Sequence, residues 1–239
     1  MSNTATFIGV GTPQANPTVE IEFQRFMQDP VHAMFTRLTS KAESPNDRLI
    51  EYMVQMPAAL NSFDTMPLSA FAFACTGSAY LLGDEREEKI TNELMQRHGI
   101  HVVTATQAIR RELEGRGATR IAMLAPYPQD LVEAAVKYWG RLGFDVVTAS
   151  RIDVGTDTRG IYTLSDEQVA AALAQFDAAG ADLVLLSGTG MPTVAALQNS
   201  AVPMLSSNLC LATEVLRRTQ RWSPGEAADI HKLCRHDYA

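Results

Sequence analysis

At 239 residues, 46% hydrophobic and 20% charged, the chain can bury one large core or two smaller ones, which excludes the disordered and fibrous classes. Its formal charge of −7, with no basic run longer than Arg110-Arg111 or Arg217-Arg218, excludes a nucleic-acid or anionic-membrane surface. Small molecules and other subunits, a homo-oligomer included, are the expected partners. No apolar stretch has the length to cross a bilayer, and Met1-Ser2-Asn3-Thr4 lacks a charged start with an apolar core behind it, so the expected compartment is the cytoplasm.

In chain order, a short apolar strand is expected at 6–10, a helix opened by Asn16-Pro17 over 17–28, a strand at 31–36, and a helix over 45–60. A strand at 70–75 runs through Cys75-Thr76-Gly77-Ser78 into a helix. A helix over 84–98, a strand at 100–104, a helix over 105–116, a strand at 120–125 and a helix over 128–142 follow. The remainder reads as a strand at 144–149, a helix over 165–179 opened by the capping box Ser165-x-x-Gln168, strands at 182–187 and 203–206, and a final helix over 208–219. Gly99, Gly117, Gly143 and Gly180 stand where helix C-caps belong. The charge run Asp84 to Lys89 reads as a solvated helix face. Strands alternating with helices predict an α/β protein of parallel sheets covered by helices on both faces.

The chain also repeats its plan at a constant offset of 113 residues. Phe7-Ile8-Gly9-Val10 running into Pro13 recurs as Arg120-Ile121-Ala122-Met123 running into Pro126, and Val19-Glu20 recurs as Val132-Glu133. The strand ending in Cys75-Thr76-Gly77 falls on the strand ending in Gly188-Thr189-Gly190. Two pseudo-symmetric lobes are therefore expected, 1–104 with 207–239 and 105–206, in close contact because no Ser-, Gly- or Pro-rich linker separates them. The final helix is expected to pack back on the first lobe.

Ligands of open parallel sheets bind beyond the strand C-termini, which brings Pro13, Asn16, Cys75, Thr76, Gly77, Ser78, Tyr127, Gly188, Thr189 and Gly190 to one cleft. Backbone N–H groups and hydroxyls around Cys75 form an anion cradle that is expected to lower the thiol's pKa. Leu186-Ser187-Gly188-Thr189-Gly190 offers a second cradle without a thiol, and two facing cradles fit a small carboxylic or dicarboxylic acid. Each residue also has a plainer reading. Cys75 can be a small buried hydrophobe, Tyr127 a loop cover, Ser206-Ser207-Asn208 a helix cap, and the glycines turn formers. Cys210 is assigned a packing role. Arg151, Asp153, Asp157 and Arg159 select a charged substrate or form a solvated loop. Three cysteines without a C-x-x-C pair are expected to be reduced, and His231-x-x-Cys234-x-His236 supplies too few ligands for a closed metal site. No metal or cofactor is expected.

At these residues the chain resembles the aspartate/glutamate racemase superfamily, in its branch of maleate cis-trans isomerase and arylmalonate decarboxylase. The likeness rests on Pro13-x-x-Asn16 with Val19-Glu20, Phe73-Ala74-Cys75-Thr76-Gly77-Ser78, Ala125-Pro126-Tyr127, Leu186-Ser187-Gly188-Thr189-Gly190, and Val202-Pro203 with Ser206-Ser207-Asn208. It implies two lobes of like fold and a cofactor-free site between them, acting beside a carboxylate by moving a proton or adding a thiol. Racemases and maleate isomerases of the superfamily keep a cysteine at both strand tips, whereas here the second tip is Gly188. Arylmalonate decarboxylases carry one cysteine, in the second lobe, so this chain looks like their mirror image.

A single acid suffices where the bond broken needs no base. The preferred reading is therefore loss of carbon dioxide from a malonate-type acid. Donors at Thr76, Gly77, Tyr127 and Thr189 stabilise the enediolate and Cys75 protonates it. The alternatives are maleate cis-trans isomerisation or racemisation through Cys75, and a non-catalytic relative that binds a small acid.

Overall fold

The computed structural model describes residues 5–27, 30–155 and 157–219. Four parallel strands, β1 (Thr6–Pro13), β2 (Val31–Leu38), β3 (Leu68–Phe73) and β4 (His101–Thr104), form one sheet in the order β2-β1-β3-β4. The second sheet repeats this plan with β5 (Arg120–Ala125), β6 (Asp145–Arg151), β7 (Leu183–Leu186) and β8 (Met204–Ser206), in the order β6-β5-β7-β8. The internal repeat is carried into register: Ile8 pairs with Ala70 in the first sheet, and Ile121 with Leu183 in the second.

The helices are α1 (Thr18–Phe26), α2 (Pro45–Val54), α3 (Met56–Asn61), α4 (Thr76–Leu82), α5 (Asp84–His98), α6 (Ala105–Gly115), α7 (Gln129–Arg141), α8 (Asp166–Ala174), α9 (Val194–Asn199) and α10 (Ser207–Arg218). Each sheet is sealed by apolar side chains that project from both faces, as parallel strands require. Phe23 and Phe26 of α1 and Phe71 and Phe73 of β3 are fully buried, as are Tyr138 and Trp139 of α7. The two halves meet where α4 packs on α7. There the Tyr80 ring stands edge-on to Tyr138 at 5.3 Å, Trp139 at 6.1 Å and Tyr127 at 6.2 Å. The last helix, α10, returns to pack on α6, α1, β4 and β3.

Several element boundaries depart from the sequence expectation for identifiable reasons. The stretch 45–60 is two helices, because Pro57 supplies no N–H and its ring crowds the preceding turn, so α2 ends and α3 restarts at Gln55. The Ser165 capping box forms as expected, but α8 stops at Ala174. The Asp177 carboxylate then accepts from the Ala179 N–H at 2.9 Å and turns the chain. Gly180, at φ +78°, thus belongs to a turn beyond the helix and not to its cap.

The charge run of α5 is not uniformly solvated. Glu87 is fully buried and accepts from Thr104, Thr106 and, at 2.6 Å, the Tyr138 hydroxyl. Residues 194–199, not expected to be helical, form α9, and the second lobe's β7-to-β8 crossover is shorter than its counterpart, which holds both α4 and α5. No helix among the described residues is long and apolar enough to cross a membrane.

Candidate active site

Cys75 ends the β3 segment as the extended residue before α4, with φ −151° and ψ 105°. Its thiol opens onto a small cavity at the C-terminal ends of the strands. From the first half, Pro13, Leu49, Cys75, Thr76 and Gly77 line it. The second half adds Tyr127, Leu131, Thr189 and Gly190, and a roof of Thr158, Ile161 and Tyr162 from the 3-10 turn Thr158–Thr163. The free space is ≈30 Å³, room for about two waters.

No charged side chain lines this cavity among the described residues. Its polar groups are hydroxyls, the thiol and backbone amides. The Tyr127 hydroxyl and Thr76 Oγ1 lie 2.5 Å apart, and burial pushes the Tyr127 phenol up, so it remains a proton-bearing donor. The Tyr162 phenol is likewise pushed up by burial and then by the nearby Cys75.

The electrostatics of Cys75 run against the sequence expectation. Burial pushes the thiol above its ordinary value; the Ser78 hydroxyl and the Ser78 and Gly77 N–H groups offset this only in part. Ser78 Oγ lies 3.2 Å from Cys75 Sγ but 2.6 Å from the Leu49 carbonyl. The one hydroxyl proton is shared between these two acceptors, with the Leu49 carbonyl the nearer. Burial thus favours the thiol form of Cys75.

Three residues expected at the site brace the cavity without lining it. Asn16 Oδ1 accepts from the N–H of Thr18 and Val19, opening α1, while its Nδ2 donates to Thr189 Oγ1 at 3.4 Å. Ser78 sits behind Cys75. Gly188 has φ +141°, and its N–H donates to Ser207 Oγ at 3.0 Å. The halves are tied across the cleft: Thr189 Oγ1 donates to the Ala74 carbonyl at 2.9 Å, and Thr18 Oγ1 to the Gly190 carbonyl at 2.8 Å. Gly190 permits the close approach of the Tyr162 ring, since a Cβ there would meet Tyr162 Cε1 at 2.7 Å.

Of the Ser206-Ser207-Asn208 run, only Ser206 is the helix cap, accepting from the Leu209 N–H at 3.2 Å. Ser207 and Asn208 hold the Gly188-Thr189 turn instead. Cys210 is fully buried in α10 and does not line the cavity. The charged cluster after β6 divides. Arg151 pairs with Asp153 on the surface at 3.0 Å, while Asp157 accepts from Arg159 Nη2 at 2.6 Å and from the buried Arg48 Nη2 at 2.6 Å. The Arg48 pair fastens the roof to α2. Sequence reasoning missed Arg48, Ile161, Tyr162, Leu49 and Leu131, whose only sequence signal was their place on apolar helix faces or in an irregular loop. Among the described residues no cluster of acidic, His or Cys side chains could hold a metal; the His231-Cys234-His236 tail lies outside them.

A protein "Maleate isomerase" from Nocardia farcinica is 25% identical over 224 residues, 88% of each chain. Among solved structures, a cysteine-to-serine mutant of the Nocardia farcinica maleate cis-trans isomerase with a covalently bound succinylcysteine intermediate superimposes with a TM-score of 0.81 at 21% identity, covering 98% of this chain and 100% of that one. Arylmalonate decarboxylase gives a TM-score of 0.73 at 16% identity, covering 92% and 96%. Like sheets meeting at a cysteine-tipped cleft are the fold this chain shares with these maleate isomerase and arylmalonate decarboxylase structures. The family model for arylmalonate decarboxylase matches residues 32–227, and the chain belongs to that family.

Proposed function

We propose that the protein decarboxylates a malonate-type acid bearing an apolar α-substituent, with Cys75 as the proton donor. The observation that carries this reading is the burial of the Cys75 thiol in a cavity lined by no charged side chain among the described residues, which favours the protonated form and so suits an acid better than a nucleophile. One substrate carboxylate accepts from the Thr76 and Tyr127 hydroxyls and from the amides of the Gly77 and Thr189-Gly190 turns. The other lies against Leu49, Leu131 and Ile161, where neutral carbon dioxide is better accommodated than a carboxylate.

The bond from the α-carbon to that second carboxylate breaks heterolytically and carbon dioxide leaves. The electron pair stays on the α-carbon as an enediolate, stabilised by the same donors. The Cys75 S–H then protonates the α-carbon, and the thiolate recovers its proton from solvent. Pro13 and the 158–162 roof shape the entrance. No step calls on a cofactor.

Maleate cis-trans isomerisation is the second reading, favoured by the similarity to maleate isomerases. It requires the Cys75 thiolate to add to the double bond and leave after rotation. The pH dependence separates the two. For the acid role, kcat holds through neutral pH and falls as pH rises through the thiol's elevated pKa, above the ordinary value of about 8.5. For the nucleophile role, the rate climbs over the same range.

Tyr127→Phe removes one enediolate donor and is expected to lower kcat by about 10²-fold with a smaller change in KM, read by steady-state kinetics. Product identity tests the proposal itself. Proton NMR of the protein with α-aryl malonates, α-alkyl malonates and maleate is expected to show the mono-acid from a malonate. Fumarate from maleate, with the malonates unchanged, would establish the isomerase in its place.

A further inference from the structure

We propose that Glu22, a buried carboxylate on α1, is a positioning residue that orients the substrate-binding Thr189-Gly190 turn through Asn208. This rests on the reading of that turn as part of the carboxylate cradle. Glu22 does not line the cavity. It is 3% exposed, and its four donors are all neutral.

Oε1 accepts from the Thr193 N–H at 2.5 Å, the Thr193 hydroxyl at 2.8 Å and the Val194 N–H at 3.2 Å. Oε2 accepts from Asn208 Nδ2 at 2.7 Å. Donors approach both oxygens, so the position demands acceptors at both ends, which a carboxylate supplies and an amide does not. A carboxylate in the interior is costly, and a glutamine of equal size would avoid that cost, so its presence calls for a specific role.

The role is written in the second bond of Asn208. The same Nδ2 that meets Glu22 donates its other hydrogen to the Thr189 carbonyl at 2.9 Å. Burial pushes the Glu22 carboxyl up while its four donors pull it back; in its ionised form it only accepts, so the Asn208 amide does not flip to present Oδ1 to it, and Nδ2 is held on Thr189. A trans peptide points its N–H opposite to its C=O. With the Thr189 carbonyl drawn toward Asn208, the Gly190 N–H points away from Asn208, and Gly190 itself lines the cavity. Through Oε1, Glu22 also holds the chain that leaves this turn, at the start of α9. One carboxylate of the first lobe thus sets both ends of an anion-binding segment of the second.

Glu22→Gln gives the discriminating test. The amide nitrogen it introduces would face Asn208 Nδ2, two donors; the Asn208 amide flips, the pair is satisfied again, and the Thr189 carbonyl loses its donor. The expected result is a KM for phenylmalonate raised about tenfold, the equivalent of one hydrogen bond, with displaced Thr189 and Gly190 amide signals in proton–nitrogen NMR. Glu87→Gln is the control, since Glu87 is an equally buried carboxylate bonded to Thr104, Thr106 and Tyr138. It is expected to lower thermal stability at unchanged KM. Should Glu22→Gln not fold, Asn208→Ser removes the same bond to Thr189 and is expected to raise KM alike. Unmoved Thr189 and Gly190 amides would overturn the positioning. Moved amides at unchanged KM would instead overturn the reading of the turn as a carboxylate cradle, and the inference with it.

Discussion

Cys75→Ala is expected to lower kcat on an α-substituted malonate by about 10³-fold while leaving the fold in place. The magnitude is that of a positioned general acid replaced by whatever water reaches the α-carbon. The structural cost is small: the side chain is 4% exposed and contributes one weak contact to Ser78. Losing the sulfur costs about 1 kcal/mol, a fall in Tm of roughly 2–4 °C. Activity and stability are thus expected to separate cleanly, measured by turnover and by thermal unfolding of the same preparation. A variant that retains the wild-type rate would remove Cys75 from the chemistry.

Gly188→Cys is expected to destabilise the protein and depress turnover, and not to create a second active thiol. The superfamily resemblance makes a cysteine at this strand tip the natural substitution, yet the backbone has departed from its counterpart. Cys75 is extended at φ −151°, whereas Gly188 has φ +141°, a region that L side chains rarely adopt. A Cβ at 188 would stand 3.1 Å from Ile161 Cδ1 and 3.2 Å from Pro126 Cδ. The Gly188 N–H is held by Ser207, which prevents the chain from rotating to relieve the crowding. Strain of this kind costs about 1–3 kcal/mol, readable as a Tm lowered by several degrees. Because Thr189 follows directly, the cradle moves with it. Gly188 is therefore built into the turn behind this cavity, and placing a cysteine there alone does not make a cysteine pair.

The symmetry of the molecule was legible in the sequence because parallel strands repeat both their apolar pattern and their tips. The offset that aligns Cys75 with Gly188 also aligns the paired registers Ile8 with Ala70 and Ile121 with Leu183. Cys75, Thr76, Gly77, Tyr127, Thr189 and Gly190 were recognisable for the same reason, since strand-end loops converge wherever two such sheets face each other.

What sequence could not supply was burial. The thiol's pKa was expected to fall because amides and hydroxyls surround Cys75. It rises because Cys75 itself is buried, at the base of a cavity roofed by a turn whose path the 150–163 sequence does not reveal. Glu22 and Glu87 illustrate the same gap. Glu87 stands in a charge run that reads as solvated, and Glu22 carries no signal of its own in the sequence, until a distant element supplies the donors: Asn208 and Thr193 for Glu22, Tyr138 and Thr104 for Glu87.

Protonation of one face of the enediolate by Cys75 is read out in deuterated water with an α-methyl-α-aryl malonate, followed by chiral separation of the product. The expected product is a mono-acid bearing one deuterium at the α-carbon and a single configuration, with that selectivity lost in Cys75→Ala. A racemic deuterated product from the unmodified protein would contradict this role of Cys75, because the proton would then come from solvent with equal access to both faces.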